Sequence, residues 1–173
     1  NSAAMVGLCE VENASCLHDL CYRLKCFRYK YIHYDSADER GIDVALLYDS
    51  TKVKVLNSYS LRVPLENDVT RDILYVEALI DANDTLHTMV CHLPSKLGGA
   101  TTTEWKRQTA KLVIQQKIDS ILHVQPMAKI VVEALYGDIF DFIFGQREGI
   151  PSKPDPTLAK LLMKELGVEP EEC

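Results

Sequence analysis

The sequence predicts a mixed α/β fold in which sheets built largely from hairpins are covered by helices. Short apolar segments rich in β-branched and aromatic residues recur along residues 1–132, and turn residues bound each of them. Two segments with helical spacing lie between these strand-like segments and do not follow each one in turn. A regular alternation of strand and helix, which is typical of an all-parallel sheet, is therefore not predicted.

The strands are predicted from apolar periodicity and from the polar connections between them. The pattern places strands at residues 5–11, 29–34, 42–48, 53–56, 73–80, 86–92 and 129–132. The connection Asp-Ser-Thr-Lys at 49–52 predicts a hairpin between the third and fourth strands, and residues 81–85 predict another between the fifth and sixth. The chain to residue 132 is thus predicted to be dominated by sheet.

Capping residues mark where the helices begin. Either Asn13 or Ser15 can cap a first helix that runs to about residue 24. Thr101 and Glu104 form a plausible capping box before a second helix that runs to about residue 122. A third, amphipathic helix is predicted at 157–166, after a segment rich in Pro and Gly.

Composition and charge set limits on function. The 173 residues are 47% hydrophobic and 25% charged, which is typical of a globular protein, and no apolar run approaches the ~18 residues that span a bilayer. A soluble protein with no membrane partner is expected. The net charge of −6 argues against unaided electrostatic binding of nucleic acid. It does not exclude a phosphoester substrate, because a divalent cation can supply positive charge. No signal-peptide pattern follows Asn1, so the compartment is not predicted.

The six cysteines do not form a Cys-x-x-Cys pair, so a zinc site is not predicted. Cys9 and Cys91 lie in strand-like segments, where buried thiols are common. All six cysteines are expected to be reduced.

Three segments combine strand ends with residue types that suit phosphoester chemistry. They are Val-Gly-Leu-Cys-Glu-Val-Glu-Asn at 6–13, Thr-Arg-Asp-Ile-Leu at 70–74 and Val-Cys-His-Leu-Pro-Ser-Lys-Leu-Gly-Gly at 90–99. In order and spacing they resemble the endonuclease/exonuclease/phosphatase superfamily, and the segment Arg-Gly-Ile-Asp-Val-Ala-Leu-Leu-Tyr at 40–48 resembles its bacterial secreted-type members. The resemblance implies a partial α/β sandwich over residues 1–132.

The resemblance also implies roles for individual residues. Glu10 would bind the catalytic Mg²⁺ or Mn²⁺, because a hard carboxylate suits an ion that takes oxygen ligands. His92 and Arg71 would be the active-site histidine and the phosphate-contacting arginine, and both would donate hydrogen bonds to phosphoryl oxygens. Asp43 and Ser95 would lie in the substrate-binding region. The implied partner is a phosphoester substrate, either nucleic acid or a small phosphodiester.

Each of these residues also has a structural interpretation. Glu10 can be a solvated residue at a strand end, and His92 can be a structural hydrogen-bonding group. Arg71 can pair with Asp68 or Glu66 at the surface. Three further histidines are expected to face solvent, namely His18, His87 and His123.

The sequence departs from the family pattern after the strand at 129–132. The family carries Gly-Asp-Phe-Asn directly after this strand and a later Asp-His pair, and neither is found here. The most similar segment is Gly-Asp-Ile-Phe-Asp at 137–141, which contains Asp138 but no Asn. The departure predicts that the second sheet of the sandwich is missing. An apolar sheet face would then be exposed, and a homodimer could form through it.

Residues 133–173 resemble a fragment of haloacid-dehalogenase-type phosphatases instead. The resemblance lies in Tyr-Gly-Asp-Ile-Phe-Asp-Phe-Ile-Phe-Gly at 136–145 and Gly-Ile-Pro-Ser-Lys-Pro-Asp-Pro at 149–156. It implies that Lys153 corresponds to the lysine that steadies the phospho-aspartate of that family. The matching nucleophilic aspartate is absent, so Lys153 and Asp138 are interpreted as vestigial or chance matches.

Three functional hypotheses follow. The first is a Mg²⁺-dependent phosphoester hydrolase, similar to nucleases and phosphodiesterases, with impaired or absent activity because catalytic segments are missing. The second is a non-catalytic fusion of two hydrolase fragments. The third is a phosphate-binding module without turnover.

Overall fold

The computed structural model describes residues 3–24, 28–38, 40–80, 84–94 and 103–135. In chain order the elements are β1 (Met5–Val11), α1 (Ala14–Arg23), β2 (Tyr29–His33), β3 (Asp43–Asp49), β4 (Val53–Leu61), β5 (Ile73–Ile80), β6 (Asp84–His92), α2 (Glu104–Val124) and β7 (Lys129–Leu135). The predicted strands and the first two predicted helices are all present. The predicted helix at 157–166 lies outside the described residues.

The seven strands form two sheets. The smaller sheet has the order β1-β3-β2 and the larger one has the order β4-β5-β6-β7. Neighbours are antiparallel except β6 and β7, which run parallel because α2 connects them as a crossover. The predicted mixed α/β fold is confirmed.

One predicted hairpin is wrong and the other is correct. β3 pairs with β1 and β2, whereas β4 pairs with β5, so the turn after β3 carries the chain from one sheet to the other. The Asp49 carboxylate stabilises this turn by accepting hydrogen bonds from the amide and hydroxyl of Thr51, at 2.9 and 2.6 Å. Turn residues therefore marked the reversal of the chain, but they do not determine which strand pairs with which. β5 and β6 form the second predicted hairpin.

The two sheets pack against each other through an apolar layer. Val44 and Leu46 of β3 face Leu74 and Val76 of β5 and Val90 of β6 in one buried cluster. The expectation that the second sheet is missing is therefore wrong, because the described residues contribute strands to both layers of the sandwich. The smaller sheet covers the face of β4, β5 and β6 that was expected to be exposed, whereas Val131 of β7 is 46% exposed.

Helices cover the outer faces of the sandwich. Leu17 of α1 packs on Val11 and Ala45 of the smaller sheet. One side of α2 packs on the larger sheet through the buried residues Ala110, Ile114, Ile118 and Ile121. Alternate residues of β5 and β6 thus face α2 and the other sheet, as the period of two in a strand requires.

The helix caps are resolved by their hydrogen bonds. The Asn13 side chain accepts a hydrogen bond from the Cys16 amide at 3.1 Å, so Asn13, of the two predicted candidates, caps α1. Thr103 precedes α2, and its side chain caps no amide of the helix. The predicted capping residue Thr101 lies outside the described residues. Neither described helix is both long and apolar enough to cross a membrane.

The prediction that His87 faces solvent is wrong. Its exposed fraction is 3%, since it lies on the face of β6 that Met89 and Cys91 also occupy, against α2. Its Nδ1 lies 2.7 Å from the Tyr75 hydroxyl, which explains how a buried imidazole is accommodated. His18 and His123 are exposed, as predicted. None of the four described cysteines, Cys9, Cys16, Cys21 and Cys91, forms a disulfide.

Candidate active site

Glu10 lies at an irregularity near the end of β1. The pairing of β1 with β3 shifts register between Leu8 and Val11, and Glu10 has a φ of 60°. A residue with a side chain costs roughly 1–2 kcal/mol in this left-handed region, so the bulge is a strained position of the kind that concentrates at functional sites. The Glu10 side chain is 55% exposed. The bulge thus leaves a carboxylate accessible at the edge of the sandwich.

His92 ends β6 and lies beside Glu10. Its Nε2 is 3.9 Å from Oε1 of Glu10, although the two residues come from different sheets. The His92 side chain is only 4% exposed, so its ring is fixed by its surroundings while the carboxylate remains accessible. The structure therefore brings together the two residues on which the sequence-based hypothesis depends.

Arg71 lies two residues before β5, next to the end of β6 because the two strands are antiparallel. It is buried, and its Nε donates a hydrogen bond of 2.7 Å to the carbonyl oxygen of Ile42. Asp68 instead forms an ion pair with Lys106. The alternative in which Arg71 pairs at the surface is therefore wrong.

The charges around His92 and Arg71 act on each other. Burial lowers the pKa of His92 below its usual value of 6.5, and the positive charges of Arg71 and Arg40 lower it further, against an opposing effect of Glu10. Burial and the charge of Arg40 also lower the pKa of Arg71, while Asp38, Glu10 and Asp43 raise it. His92 is thus neutral near pH 7, and one of its ring nitrogens can carry a proton to donate.

Asp43 lies at the start of β3, paired with Val11 of β1 just after the bulge. It is buried and accepts a hydrogen bond from the Ser36 hydroxyl. One donor atom each of His33, Asp35 and Asp43 lie within 4.8 Å of one another, a set of oxygen and nitrogen ligands that could hold a divalent cation. The predicted site residue Ser95 lies outside the described residues, as do Asp138 and Lys153.

Sequence reasoning missed two arginines near the site. Arg40 is held by the buried carboxylate of Asp38 and influences the pKa values of both Arg71 and His92. Arg107 of α2 is buried and donates a hydrogen bond of 3.3 Å to the carbonyl oxygen of Pro94, which anchors the chain two residues after His92. The segment at 40–48 had been noted for its resemblance, but nothing in the sequence indicated that Asp38 would be buried.

Comparison with known families agrees with this geometry. The model of the Endonuclease/Exonuclease/phosphatase family matches residues 1–144. The chain belongs to this family. The match continues past the boundary predicted near residue 133, and β7 likewise continues to Leu135. Comparison with curated protein sequences gives no match.

Solved structures share the fold of this family member at low sequence identity. The catalytic domain of human nocturnin with bound sulfate has a TM-score of 0.60 and 16% identity, over 76% of this chain and 50% of that one. ANGEL2, a 2′,3′-cyclic phosphatase, in complex with adenosine-2′,3′-vanadate has a TM-score of 0.63 and 14% identity, over 76% and 39%. TDP2 of D. rerio complexed with single-strand DNA product has a TM-score of 0.56 and 20% identity, over 76% and 46%. This chain therefore spans about half the length of these solved chains or less.

Proposed function

We propose that this chain carries a divalent-metal-dependent phosphoester hydrolase site in which Glu10 binds the metal and His92 and Arg71 contact the phosphoryl group. The observation that carries the proposal is the 3.9 Å separation of Glu10 and His92 at one edge of the sandwich, with buried Arg71 interacting electrostatically with both. Membership of the family supports the same chemistry.

Glu10 fits a hard divalent cation. Its carboxylate is accessible at the bulge, and Mg²⁺ and Mn²⁺ prefer oxygen ligands while keeping coordination positions open for water and substrate. When bound, such an ion supplies positive charge to the phosphoryl oxygens. Either ion is compatible with a site built on this carboxylate.

The other two residues act on the substrate directly. The Arg71 guanidinium is fixed through Nε on the Ile42 carbonyl, and no hydrogen-bond partner of its terminal N–H groups is found among the described residues, so these groups can bind a phosphoryl oxygen. His92 is neutral, so it can donate one N–H to the same group without repelling the metal. Both donors are held in place before the substrate arrives, which is the arrangement that stabilises developing charge.

Turnover by this chain is proposed to be slow or absent. β7 ends at Leu135, and the sequence that follows it reads Gly-Asp-Ile-Phe at 137–140, which lacks the Asn of the Gly-Asp-Phe-Asn segment that orients the nucleophile in this family. Groups that act as a unit lose most of the rate when one is removed. This departure favours a second candidate function, a phosphate-binding module, and a non-catalytic fusion of hydrolase fragments remains the third.

Metal binding tests the role of Glu10. Calorimetric titration with Mg²⁺ or Mn²⁺ is expected to show a site in the wild type whose affinity is weakened about tenfold or more in Glu10→Gln, because the variant loses the charged ligand. Glu12→Gln is the matched control, since Glu12 is exposed just beyond the bulge and should leave affinity unchanged. Equal affinity in wild type and Glu10→Gln would contradict the proposal.

Turnover separates the hydrolase from the binding module. Hydrolysis of bis(p-nitrophenyl) phosphate is measured with Mg²⁺ and with a chelator, for the wild type, His92→Ala and the exposed control His18→Ala. Metal-dependent hydrolysis that His92→Ala abolishes and His18→Ala retains supports the enzyme. Phosphate binding that depends on metal and Arg71, without hydrolysis, identifies the binding module.

A further inference from the structure

The turn before β3 holds two arginines at once. Gly41 has a φ of 63° and donates its amide to the Asp38 carbonyl at 3.0 Å, so the chain turns back on itself at a position that favours glycine. The next carbonyl, that of Ile42, accepts the hydrogen bond from Arg71 Nε. Arg40 lies within the same turn. Asp38 and residues 40–42 therefore fix the relative positions of Arg40 and Arg71.

Asp38 positions the Arg40 guanidinium. The Asp38 side chain is 4% exposed, and its carboxylate accepts hydrogen bonds from Nε of Arg40 at 2.8 Å and from Nη2, as well as from the Arg40 amide at 3.1 Å. The Arg40 hydrogen bonds hold the pKa of Asp38 below its usual value. A planar guanidinium gripped along one edge in this way is restricted in rotation as well as in position.

The opposite edge of Arg40 is available to a ligand. A guanidinium has five N–H donors, and Asp38 takes two of them, the one on Nε and one on Nη2. For the remaining three, no hydrogen-bond partner is found among the residues that the structure describes. The Arg40 side chain is 55% exposed, so these donors can reach a group in solvent. Two adjacent N–H groups on one edge match two oxygens of a phosphate.

Arg40 lies beside the proposed catalytic residues and not on a distant surface. Its charge lowers the pKa of both Arg71 and His92, which places it within electrostatic reach of the phosphoryl group that those residues would contact. Two cations that raise each other's electrostatic energy in this way are stabilised by bound anions. A single phosphoryl group on Arg71 leaves Arg40 able to bind another.

We propose that Arg40 binds a second phosphate of the substrate, adjacent to the ester that is cleaved, and that Asp38 is its positioning residue. The proposal rests on the proposed function, since it takes the site at Glu10, His92 and Arg71 as the reaction centre. It assigns the substrate to phosphoesters that carry a neighbouring phosphate, and it gives Arg40 a role in affinity and not in the chemical step.

The test compares two ligands that differ by one phosphate. Thymidine 5′-monophosphate and thymidine 3′,5′-bisphosphate are titrated calorimetrically into the protein in the presence of Mg²⁺, so the readout does not depend on turnover. The wild type is expected to bind the bisphosphate more tightly than the monophosphate, by a factor of about ten or more. Arg40→Gln should remove this preference, because it should weaken binding of the bisphosphate by about tenfold more than binding of the monophosphate. Arg23→Gln, at an exposed arginine of α1, should retain the preference.

Two further variants examine positioning. Arg40→Lys retains the charge but not the planar edge, so it should keep only part of the preference. Asp38→Asn should reduce the preference while thermal melting shows that it remains folded. If Asp38→Asn unfolds, the Arg40 variants still decide the proposal.

The outcomes distinguish the two proposals. If the wild type binds the monophosphate at least as tightly as the bisphosphate, the role of Arg40 is overturned and the proposed function stands. The same conclusion follows if Arg40→Gln weakens the binding of both ligands equally. If the wild type binds neither nucleotide with Mg²⁺, both proposals are overturned. A preference for the bisphosphate that only the Arg40 and Asp38 variants lose supports the assignment.

Discussion

The left-handed backbone at Glu10 predicts that glycine is more stabilising than alanine at this position, which is the reverse of the usual order. Glu10→Gly and Glu10→Ala both remove the carboxylate, so they differ only in Cβ. At a φ of 60°, Cβ costs roughly 1–2 kcal/mol, whereas glycine loses about 0.4–1 kcal/mol through the greater freedom of the unfolded chain. The glycine variant should therefore be the more stable by about 1 kcal/mol, which corresponds to a melting temperature about 2–4 °C higher.

Thermal and urea unfolding of the two variants measures this difference, with metal titration alongside. Both variants should bind the metal equally poorly, because the ligand is gone from both. The matched control is the same pair of substitutions at Lys54, an exposed residue of β4 with a negative φ. There alanine should be more stable than glycine by about 0.5–1 kcal/mol, since a regular strand has no left-handed strain to relieve. If glycine is no more stable than alanine at residue 10, Glu10 does not have the strained conformation described here.

Three other predictions concern buried polar groups and close packing. Tyr75→Phe should lower the free energy of unfolding by about 1–3 kcal/mol in urea titrations, because it leaves Nδ1 of buried His87 without its 2.7 Å partner. His92 has a lowered pKa in the folded state, so its contribution to stability is complete above its unfolded pKa near 6.5 and is lost as the pH falls through the folded value. Melting temperatures measured between pH 8 and 5 should therefore fall less in His92→Asn than in the wild type. Gly7→Ala should lower the melting temperature only slightly, because its Cβ meets the end of the flexible, exposed Glu133 side chain, which can move away, and Glu133→Ala added to it should restore most of this small loss. Additive effects of these two substitutions would contradict the close approach.

The location of the candidate site was predictable because strand ends can be read from the sequence. The apolar segment of β1 ends near Glu10 and that of β6 ends at His92, and the spacing of these segments resembles one family. The sequence did not determine that the end of β1 lies beside the end of β6, because the alternation of residues along a strand does not indicate which sheet the strand joins. The hairpin wrongly predicted between β3 and β4 shows the same limit.

Burial of polar groups was less predictable from the sequence. His87 was expected to face solvent, yet its position in the alternation with Met89 and Cys91 directs it towards α2. The alternation of side chains along β6 was by itself enough to predict that His87 is buried with Met89 and Cys91. Asp38 had no such signal, since it lies in a loop where a polar residue usually faces water. Its burial depends on Arg40, its partner in the folded chain.

The sequence by itself determined the α/β class, the positions of the strands along the chain and the family, and it limited the cap of α1 to Asn13 or Ser15, because periodicity, capping and motif spacing are local properties of the chain. The tertiary structure decided how the strands divide between two sheets, the left-handed bulge at Glu10 and the turn that holds Arg40 and Arg71 together. These features depend on contacts between residues far apart in sequence, and the free energy of such contacts is set only when the whole sandwich packs.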